Sequence, residues 1–340
     1  MGLLSLALTL INSISDPEAR AREAAGLKPV EPGALFSQVA RLAYRLDRLI
    51  VKMVLEGLDE GSLPRIRGLL TALEELHDLL IMTCSRFAGQ PNTLTAHSLA
   101  SMLMADALSA LEADLDRFLG SELTDPAEVT GWAEGAARLI QALSVFHREA
   151  IRLSPSAPAH ELLPVVQRLL PGRAELANYV VLLALVRQMR HKRKELRALL
   201  AELISRWLLR RPIARSGCLR LADLASEVAG LLGLKIDLDE VVGALDTLRK
   251  RGELLAIDTK RGIAVLAPRG EDLERAFELA RERYKMQGSG ITPQFLSQHL
   301  GWCPDYASAV VEELVRRKWL FPGPSQIIPG AVEYYPPPEE

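Results

Sequence analysis

Cysteine is scarce in this chain of 340 residues, which contains only Cys84, Cys218 and Cys303. These three stand far apart, with no CxxC pair and no cysteine–histidine cluster. The spacing therefore predicts neither a disulfide framework nor a zinc site. Such sparse cysteine usage fits a reducing, cytoplasmic compartment best.

Signals for catalysis and for crossing a membrane are also missing. The six histidines are scattered, and Gly288–Gly290 lacks the lysine of a phosphate-binding loop. We therefore expect no enzymatic activity, no cofactor and no metal. Ser289 and Thr292 fit a turn and a helix cap instead, with Pro293 at the first helical position. No uncharged run reaches the roughly 20 residues that span a bilayer.

Neither sign of charge dominates the chain as a whole. It has 41 Lys and Arg against 43 Asp and Glu, for a net charge of −2. The overall charge therefore gives no general attraction to nucleic acid, and local charge has to decide. Hydrophobic residues make up 49% and charged residues 25%, which indicates a folded globular protein of two or three domains.

Apolar residues at three- and four-residue spacing predict four amphipathic helices in the first half of the chain. They cover Leu35–Leu55, Leu63–Phe87, Leu94–Leu119 and Val129–Leu153. The short connections between them favour a helical bundle.

Proline and glycine divide the chain into five predicted segments. These are an apolar N-terminal peptide and linker (1–33), the bundle (34–154), a linker with a long basic helix (155–215), and two further modules (216–269 and 270–340). The Pro-containing stretch 154–158 is the predicted hinge after the bundle.

The two C-terminal modules repeat one pattern. In the first, the helical stretches Leu219–Leu232 and Leu238–Arg251 precede two apolar strands, Leu254–Ile257 and Ile263–Leu266. Two helices followed by a hairpin are the order of elements in a winged helix.

The second module has a similar order of helices. Its predicted helices are Leu273–Met286, Thr292–Leu300 and Tyr306–Lys318, followed by a Pro/Gly-broken tail that ends at Tyr335. We therefore predict a mainly α fold, with an N-terminal helical bundle followed by a tandem winged-helix (α+β) module.

Both modules carry acid on the helix that enters the major groove in DNA-binding winged helices. The acidic residues are Asp237, Asp239, Glu240 and Asp246 in the first module, and Asp305, Glu312 and Glu313 in the second. Residues 216–340 contain 15 Lys and Arg against 19 Asp and Glu, a net charge of −4, whereas phosphate contacts need a surplus of base. Asp237 and Asp305 also fit helix caps. The charges favour a protein partner over DNA.

A basic run precedes the modules on a single helix predicted over Ala174–Leu209. Residues 187–215 contain ten Lys and Arg against two acidic residues. The candidate contacts with an anionic partner are Arg187, Arg190, Lys192, Arg193, Lys194 and Arg197. The alternatives are a solvated helix face, a membrane surface and nucleic acid.

The apolar N-terminal peptide over 1–14 allows two interpretations. Its leucines and isoleucines could enter a membrane interface, or the peptide could pack on the bundle as an extra helix. The candidate membrane-inserting residues are Leu3, Leu4, Leu8 and Ile11. Because the peptide carries no basic residue, insertion would depend on apolar burial alone.

An acidic, leucine-containing helix is followed by a hairpin in the first module, and the second module has a similar order. The stretches are Asp237–Leu248, Gly262–Pro268, Gly288–Leu296, Leu300–Trp302, Tyr306–Ala307, Val311–Val315 and Tyr334–Pro336. In this order of elements, roughly residues 200–338 resemble the tandem winged-helix subunits of the ESCRT-II complex. The resemblance implies winged helices that join membrane-associated subunits and nucleate polymer-forming ESCRT-III proteins. The first long helix follows an apolar peptide and carries Arg41, Arg45, Asp47, Arg48 and Lys52. In this the N-terminal helices resemble an ESCRT-III helical core, from which Gly57, Gly61 and Pro64 depart by interrupting the first hairpin.

These patterns predict a non-catalytic adaptor of an ESCRT-like membrane-remodelling, sorting or cell-division machinery. It would be peripherally membrane-associated and part of a hetero-oligomer, with ESCRT-like proteins and an anionic membrane surface as partners. The candidate partner contacts are Tyr306, Trp319 and Phe321, whereas Trp302 is assigned to the core. The alternative is a chromosome-associated winged-helix protein that binds DNA through the basic run, Lys260 and Arg261.

Overall fold

The computed structural model describes residues 2–27, 30–57, 61–83, 94–121, 125–325 and 329–338. Within these residues the protein is mainly helical, with a few short antiparallel strands, which confirms the predicted mainly α class. The chain divides into a bundle unit, Asn12–Leu185, and a C-terminal unit, Val186–Glu340 together with Met1–Ile11. This division falls later in the chain than the predicted hinge.

The N-terminal apolar peptide is helical. Helix α1 spans Leu3–Ser13 and α2 spans Pro17–Gly26. Asp16 caps α2, because its carboxylate accepts a hydrogen bond from the Ala19 amide at 2.9 Å.

Four long helices form the core of the bundle unit and confirm the four helices predicted from apolar periodicity. They are α3 (Pro32–Leu55), α4 (Leu63–Thr83), α5 (Ala96–Gly120) and α6 (Pro126–Arg152). The predicted end of the second helix, beyond Thr83, lies outside the described residues. Side-chain caps explain where two of them begin, since Thr95 accepts from the Ser98 amide at 3.1 Å and Asp125 from the Ala127 amide at 2.9 Å.

Side-chain contacts set the directions of these helices. Gln38 donates to Ser109 at 3.0 Å and Arg45 pairs with Asp116 at 2.9 Å, so α3 and α5 run parallel. Helices α4 and α6 also run parallel, since they meet near both their starts and their ends. Helix α4 packs against α3 and α6, and α5 packs against the same two helices. Consecutive helices α4 and α5 therefore lie across the diagonal of the bundle.

A buried polar cluster joins α4, α5 and α6. Nε2 of His147 lies 2.7 Å from the Thr83 hydroxyl, and His97 hydrogen bonds with the Ala150 carbonyl. Burial, together with the charge of nearby His97, lowers the pKa of His147 from 6.5 to about 4. The His147 imidazole is therefore neutral at pH 7.

The segment predicted as a hinge is part of the bundle unit. Thr95 and Pro158 form an antiparallel bridge, and the Ala96 amide donates to the Ala157 carbonyl at 2.8 Å. A short 3-10 helix then leads into α7 and α8. Helix α7 spans Leu163–Leu169 and α8 spans Pro171–Met189.

The single long basic helix predicted from the sequence is wrong, because the chain breaks after α8. Helix α9 covers only Arg193–Leu203, and Lys192 before it has φ −105° and ψ 72°, which are not helical values. Like charges three or four residues apart repel on a helix, as Arg187 and Arg190, or Arg190 and Lys194, would here. This repulsion disfavours a continuous helix at the break by a few tenths of a kcal/mol.

The first repeat of the C-terminal unit covers residues 193–266. It consists of α9, β1 (Cys218–Arg220), α10 (Leu221–Leu232), α11 (Leu238–Lys250), β2 (Leu254–Asp258) and β3 (Ile263–Leu266). The strands form an antiparallel sheet in the order β1-β3-β2. The Asp258 carboxylate closes the β2–β3 turn by accepting from the amides of Lys260 and Arg261, each at 3.0 Å.

The second repeat covers residues 270–335 and has the same order of elements. It consists of α12 (Gly270–Gln287), α13 (Pro293–Leu300), α14 (Pro304–Arg316), β4 (Phe321–Pro324) and β5 (Val332–Tyr335). Ile291 pairs with Tyr334 of β5, in the place that β1 takes in the first repeat. Thr292 caps α13 by accepting from the Phe295 amide at 3.0 Å, with Pro293 at the first position, which confirms the predicted cap.

Candidate protein- and anion-binding surfaces

Helix α11 of the first repeat holds a largely buried carboxylate, Glu240. Only 11% of its side chain is exposed, and it accepts a hydrogen bond from Arg197 of α9 at 2.9 Å. Arg193 approaches the other carboxylate oxygen at 3.6 Å. The charge of the Glu240 carboxylate is therefore neutralised by bases of the same repeat.

Gly243 makes this ion pair sterically feasible. A Cβ atom at Gly243 would lie 2.5 Å from Nε of Arg197, so a larger residue would displace the guanidinium group. Close approach of α9 and α11 explains a glycine inside a helix, where it otherwise costs stability. The pair is a packed structural feature of the first repeat.

The structure separates the predicted anion contacts into two groups. Arg193 and Arg197 pair with Glu240, and only Arg193 remains well exposed. The exposed bases at the break between α8 and α9 form what we call the basic turn, namely Arg187, Arg190, Lys192 and Lys194. Lys192 pairs with Glu195 at 3.6 Å, whereas the described part of the chain contains no ion pair for the other three. The basic turn is therefore a part of the basic run that is available to an anionic partner, and Arg210 and Arg215 farther along the run are exposed as well.

Three of the contacts between the two repeats form what we call the inter-repeat clamp. Cys218 of β1 and Cys303, which caps α14, form a disulfide with a Cα–Cα distance of 6.0 Å. Arg261 of the β2–β3 turn donates two hydrogen bonds to Asp305, at 3.1 and 2.9 Å. The third contact is the Tyr306 ring against Gly217, where a Cβ atom would lie 2.0 Å from the ring.

The clamp corrects the predictions for the cysteines and for Asp305. Cysteine spacing predicted no disulfide, because two residues 85 positions apart carry no local signal; its support for a reducing compartment is therefore lost. Asp305 does not cap α14, because Cys303 occupies the cap and Asp305 pairs with Arg261. Asp237 does occupy the cap position of α11, but without a side-chain hydrogen bond.

The prediction that Tyr306 contacts a partner is wrong. Its side chain is fully buried, and its hydroxyl donates to Asp272 at 2.6 Å and accepts from the Arg269 amide at 3.3 Å. Burial and the hydrogen bond with Asp272 raise the pKa of Tyr306. Its ring lies edge-on to Trp302, which is also buried, as predicted. Tyr306 thus belongs to the core and to the clamp.

The other two predicted partner contacts differ in exposure. Trp319 is half-buried and packs against Phe277, with ring centroids 5.4 Å apart. Phe321 at the start of β4 is 47% exposed. Two further apolar side chains of this repeat, Met286 and Val332, are also exposed. Neither was predicted from the sequence, because an apolar pattern does not show which residue at the end of a helix, such as Met286, or on a strand, such as Val332, remains uncovered.

The predicted membrane-inserting residues are only partly accessible. Ile11 is fully buried, which excludes it as an inserting residue in this conformation, whereas Leu3, Leu4 and Leu8 are half-buried. Helical spacing places Ile11 on the buried face of α1. This part of the chain groups with the C-terminal unit rather than with the bundle.

Three potential metal ligands meet at the clamp. Donor atoms of Cys218, Cys303 and Asp305 lie within 4.8 Å of one another. The two sulfurs are bonded to each other and the carboxylate is paired with Arg261, so this geometry provides no assigned metal site.

The ion pair of Arg197 should stabilise the first repeat. Arg197→Met leaves the Glu240 carboxylate largely buried without its closest cation, and we expect a loss of about 1–3 kcal/mol in the free energy of unfolding. Arg193→Met is the matched control; since 80% of the Arg193 side chain is exposed, it should cost less than about 0.5 kcal/mol. Urea denaturation of the full chain measures both, and equal losses would contradict the assigned role of Arg197.

None of the helices in the described ranges has both the length and the apolar character that crossing a membrane requires. Comparisons of the chain with protein-family models, with curated proteins and with solved structures find no match. The functional assignment therefore depends on the geometry of the chain's own residues.

Proposed function

We propose that the two repeats are tandem winged helices and that the protein is a non-catalytic adaptor. The order of elements supports this proposal, since each repeat places a helix, a strand or bridge, two helices and a hairpin in sequence. The sheet order supports it as well: the first segment pairs with the last strand, and the last strand pairs with the other arm of the hairpin. Two helices with a hairpin wing are a framework for recognising a macromolecule.

Proteins are the favoured partners of these repeats, and the observation that carries this proposal is the pairing of Arg261 with Asp305. In a DNA-binding winged helix, bases on the wing contact phosphates and the second helix lies in the major groove. Here the wing base Arg261 is occupied by an acid of the other repeat. A DNA phosphate would have to compete with Asp305 for Arg261. It would also lie close to the other acidic side chains of these helices.

Acidic side chains on the exposed sides of α11 and α14 add to this argument. Asp239 and Glu312 are exposed, and Asp246 is held by Arg249 and Lys250, each at 2.7 Å. Hydrogen bonds from Lys250 and Arg249 lower the pKa of Asp246. The exposed carboxylates of Asp239 and Glu312 disfavour approach to phosphates and suit a protein partner.

An ESCRT-like membrane-remodelling, sorting or division machinery is the context that we propose for this adaptor. The motif resemblance of residues 200–338 supports it, and the basic turn supports a second contact, with an anionic membrane surface. Each base near an anionic leaflet contributes about 1 kcal/mol. The repeats would hold ESCRT-like proteins in a hetero-oligomer while the basic turn holds the adaptor at the membrane.

Removing three of the four bases of the basic turn tests the proposed membrane contact. Arg187→Ala, Arg190→Ala and Lys194→Ala combined should weaken binding of the full chain to phosphatidylserine-rich vesicles by roughly 10- to 100-fold. Vesicle co-sedimentation measures the change. The matched control, Arg138→Ala, Arg148→Ala and Arg168→Ala, removes three exposed bases of the bundle unit and should have little effect. Equal weakening by both sets would show that only net charge matters and would contradict the assignment.

Duplex DNA is the second candidate ligand, because exposed bases of the basic turn suit any polyanion. Within the C-terminal unit, DNA binding is supported by the basic turn and by the exposed wing residue Lys260, whereas Arg197 and Arg261 are paired with acids. We therefore place it second.

A further inference from the structure

The inter-repeat clamp combines one strong link with two weaker ones. The disulfide closes a loop between residues 85 positions apart. The Arg261–Asp305 pair is largely solvent-exposed, and such pairs contribute little because water and salt screen them. The third link is packing between Gly217 and Tyr306. The covalent link therefore dominates the connection.

Both cysteines lie where a small molecule can reach them. Cys218 and Cys303 are each half-buried, at the seam between the repeats rather than in either core. Cys303 also caps α14, and its sulfur accepts a hydrogen bond from the Tyr306 amide at 3.4 Å. The positive end of a helix stabilises a thiolate at this position, which makes Cys303 the better leaving group.

We propose that Cys218 and Cys303 form a thiol–disulfide exchange site that locks and releases the two repeats. The thiolate of a low-molecular-weight thiol attacks the Cys218 sulfur, a mixed disulfide forms there, and Cys303 leaves as a thiolate. A second thiolate attacks the small molecule's sulfur in that mixed disulfide and releases Cys218. Two electrons pass to the protein, and one small-molecule disulfide is produced. The same steps in reverse, driven by a small-molecule disulfide, close the lock.

The exchange controls how firmly the repeats are held together. In the oxidised protein, the Cys303 amide donates to the Ser216 carbonyl at 2.8 Å, a hydrogen bond between the repeats directly beside the disulfide. After reduction, the exposed ion pair and the Tyr306 contact still restrain this bond, but the covalent link beside it is gone. The repeats can then separate, which changes the relative placement of any surfaces that they present. This conclusion holds whichever partner the repeats bind.

Amide hydrogen exchange of the full chain tests the lock. The Cys84→Ser background leaves only the two cysteines of the clamp. Reduction with dithiothreitol should speed exchange of the Cys303 amide by at least about tenfold, because local opening becomes easier. The Ile291 amide, which donates to Tyr334 within the second repeat at 3.0 Å, is the internal control and should not change. The midpoint of thermal unfolding should fall by roughly 5–15 °C on reduction.

A double variant and an alkylation experiment complete the test. In the double variant Cys218→Ser with Cys303→Ser, the backbone amide at position 303 should exchange rapidly with or without reductant. If this variant fails to fold, the comparison of the oxidised and the reduced chain decides alone. Mass spectrometry should find both cysteines protected from alkylation until a thiol is added. Alkylation of both without reductant, or equal exchange of the Cys303 amide in the two states, would overturn the proposal.

Discussion

Gly217→Ala should destabilise the C-terminal unit by about 3–5 kcal/mol, the largest loss that we expect from a single added methyl group. Gly217 has φ +74°, a conformation that side chains rarely adopt. Its new Cβ would also lie 2.0 Å from Cγ of Tyr306, whose ring is buried and held by the hydrogen bond with Asp272. Neither the backbone nor the ring can move without opening the clamp.

Gly252→Ala separates these two causes. Gly252 has a similar φ of +79°, but nothing lies within 4 Å of its Cβ position. It should therefore show only the backbone cost, about 1–2 kcal/mol. Urea and thermal denaturation of the full chain give both values. If the two variants lose the same stability, the contact between Gly217 and Tyr306 is not a tight one.

The bundle unit should lose about 3 kcal/mol of stability as the pH falls from 6.5 to 4, because of His147 alone. Burial, then the charge of His97, lowers the pKa of His147 from 6.5 to about 4 in the folded state. Between these values the unfolded chain binds a proton that the folded chain does not. The contribution of His147 to the free energy of unfolding is therefore fully present above pH 6.5, decreases as the pH falls, and levels off below about pH 4.

His147→Gln isolates this contribution, because glutamine can still hydrogen bond with Thr83 but does not titrate. Urea denaturation at several pH values should show a smaller loss for His147→Gln than for the unchanged protein between pH 6.5 and 4. His191→Gln, at an exposed position next to the basic turn, is the matched control. If His147→Gln keeps the full loss of stability, the buried histidine is not its source.

Local patterns predicted most of the helices. Apolar periodicity located α3 to α6, and the Thr292–Pro293 pair located the start of α13, since caps and periodicity are properties of neighbouring residues. The break at Arg190–Lys192 was not predicted, although like charges three and four residues apart disfavour a continuous helix there. We interpreted the dense positive charge as an anion-binding face of one continuous helix and did not expect the helix to end there.

The contacts that define the candidate surfaces could not be predicted in this way. Arg197 and Glu240 are 43 residues apart, and Arg261 and Asp305 are 44 apart. Pairing at such distances depends on the packing of complete elements, which periodicity does not specify. Tyr306 shows the same limit, because an aromatic side chain on an amphipathic helix suits a core and an interface equally well.

These contacts divide the charged residues of the C-terminal unit into two roles. Arg197 and Arg261 stabilise the repeats through Glu240 and Asp305. The basic turn keeps its charge on the surface, within the part of the chain that the structure describes. This division supports our proposal that the repeats recognise protein while the basic turn contacts an anionic membrane.

Parallel titrations of the full chain with phosphatidylserine-rich vesicles and with duplex DNA, each over a salt series, test this claim most directly. We expect vesicle binding that weakens as the salt concentration rises, and only weak binding to duplex DNA. Tight duplex binding with a steep salt dependence, and no recruitment to vesicles, would contradict it.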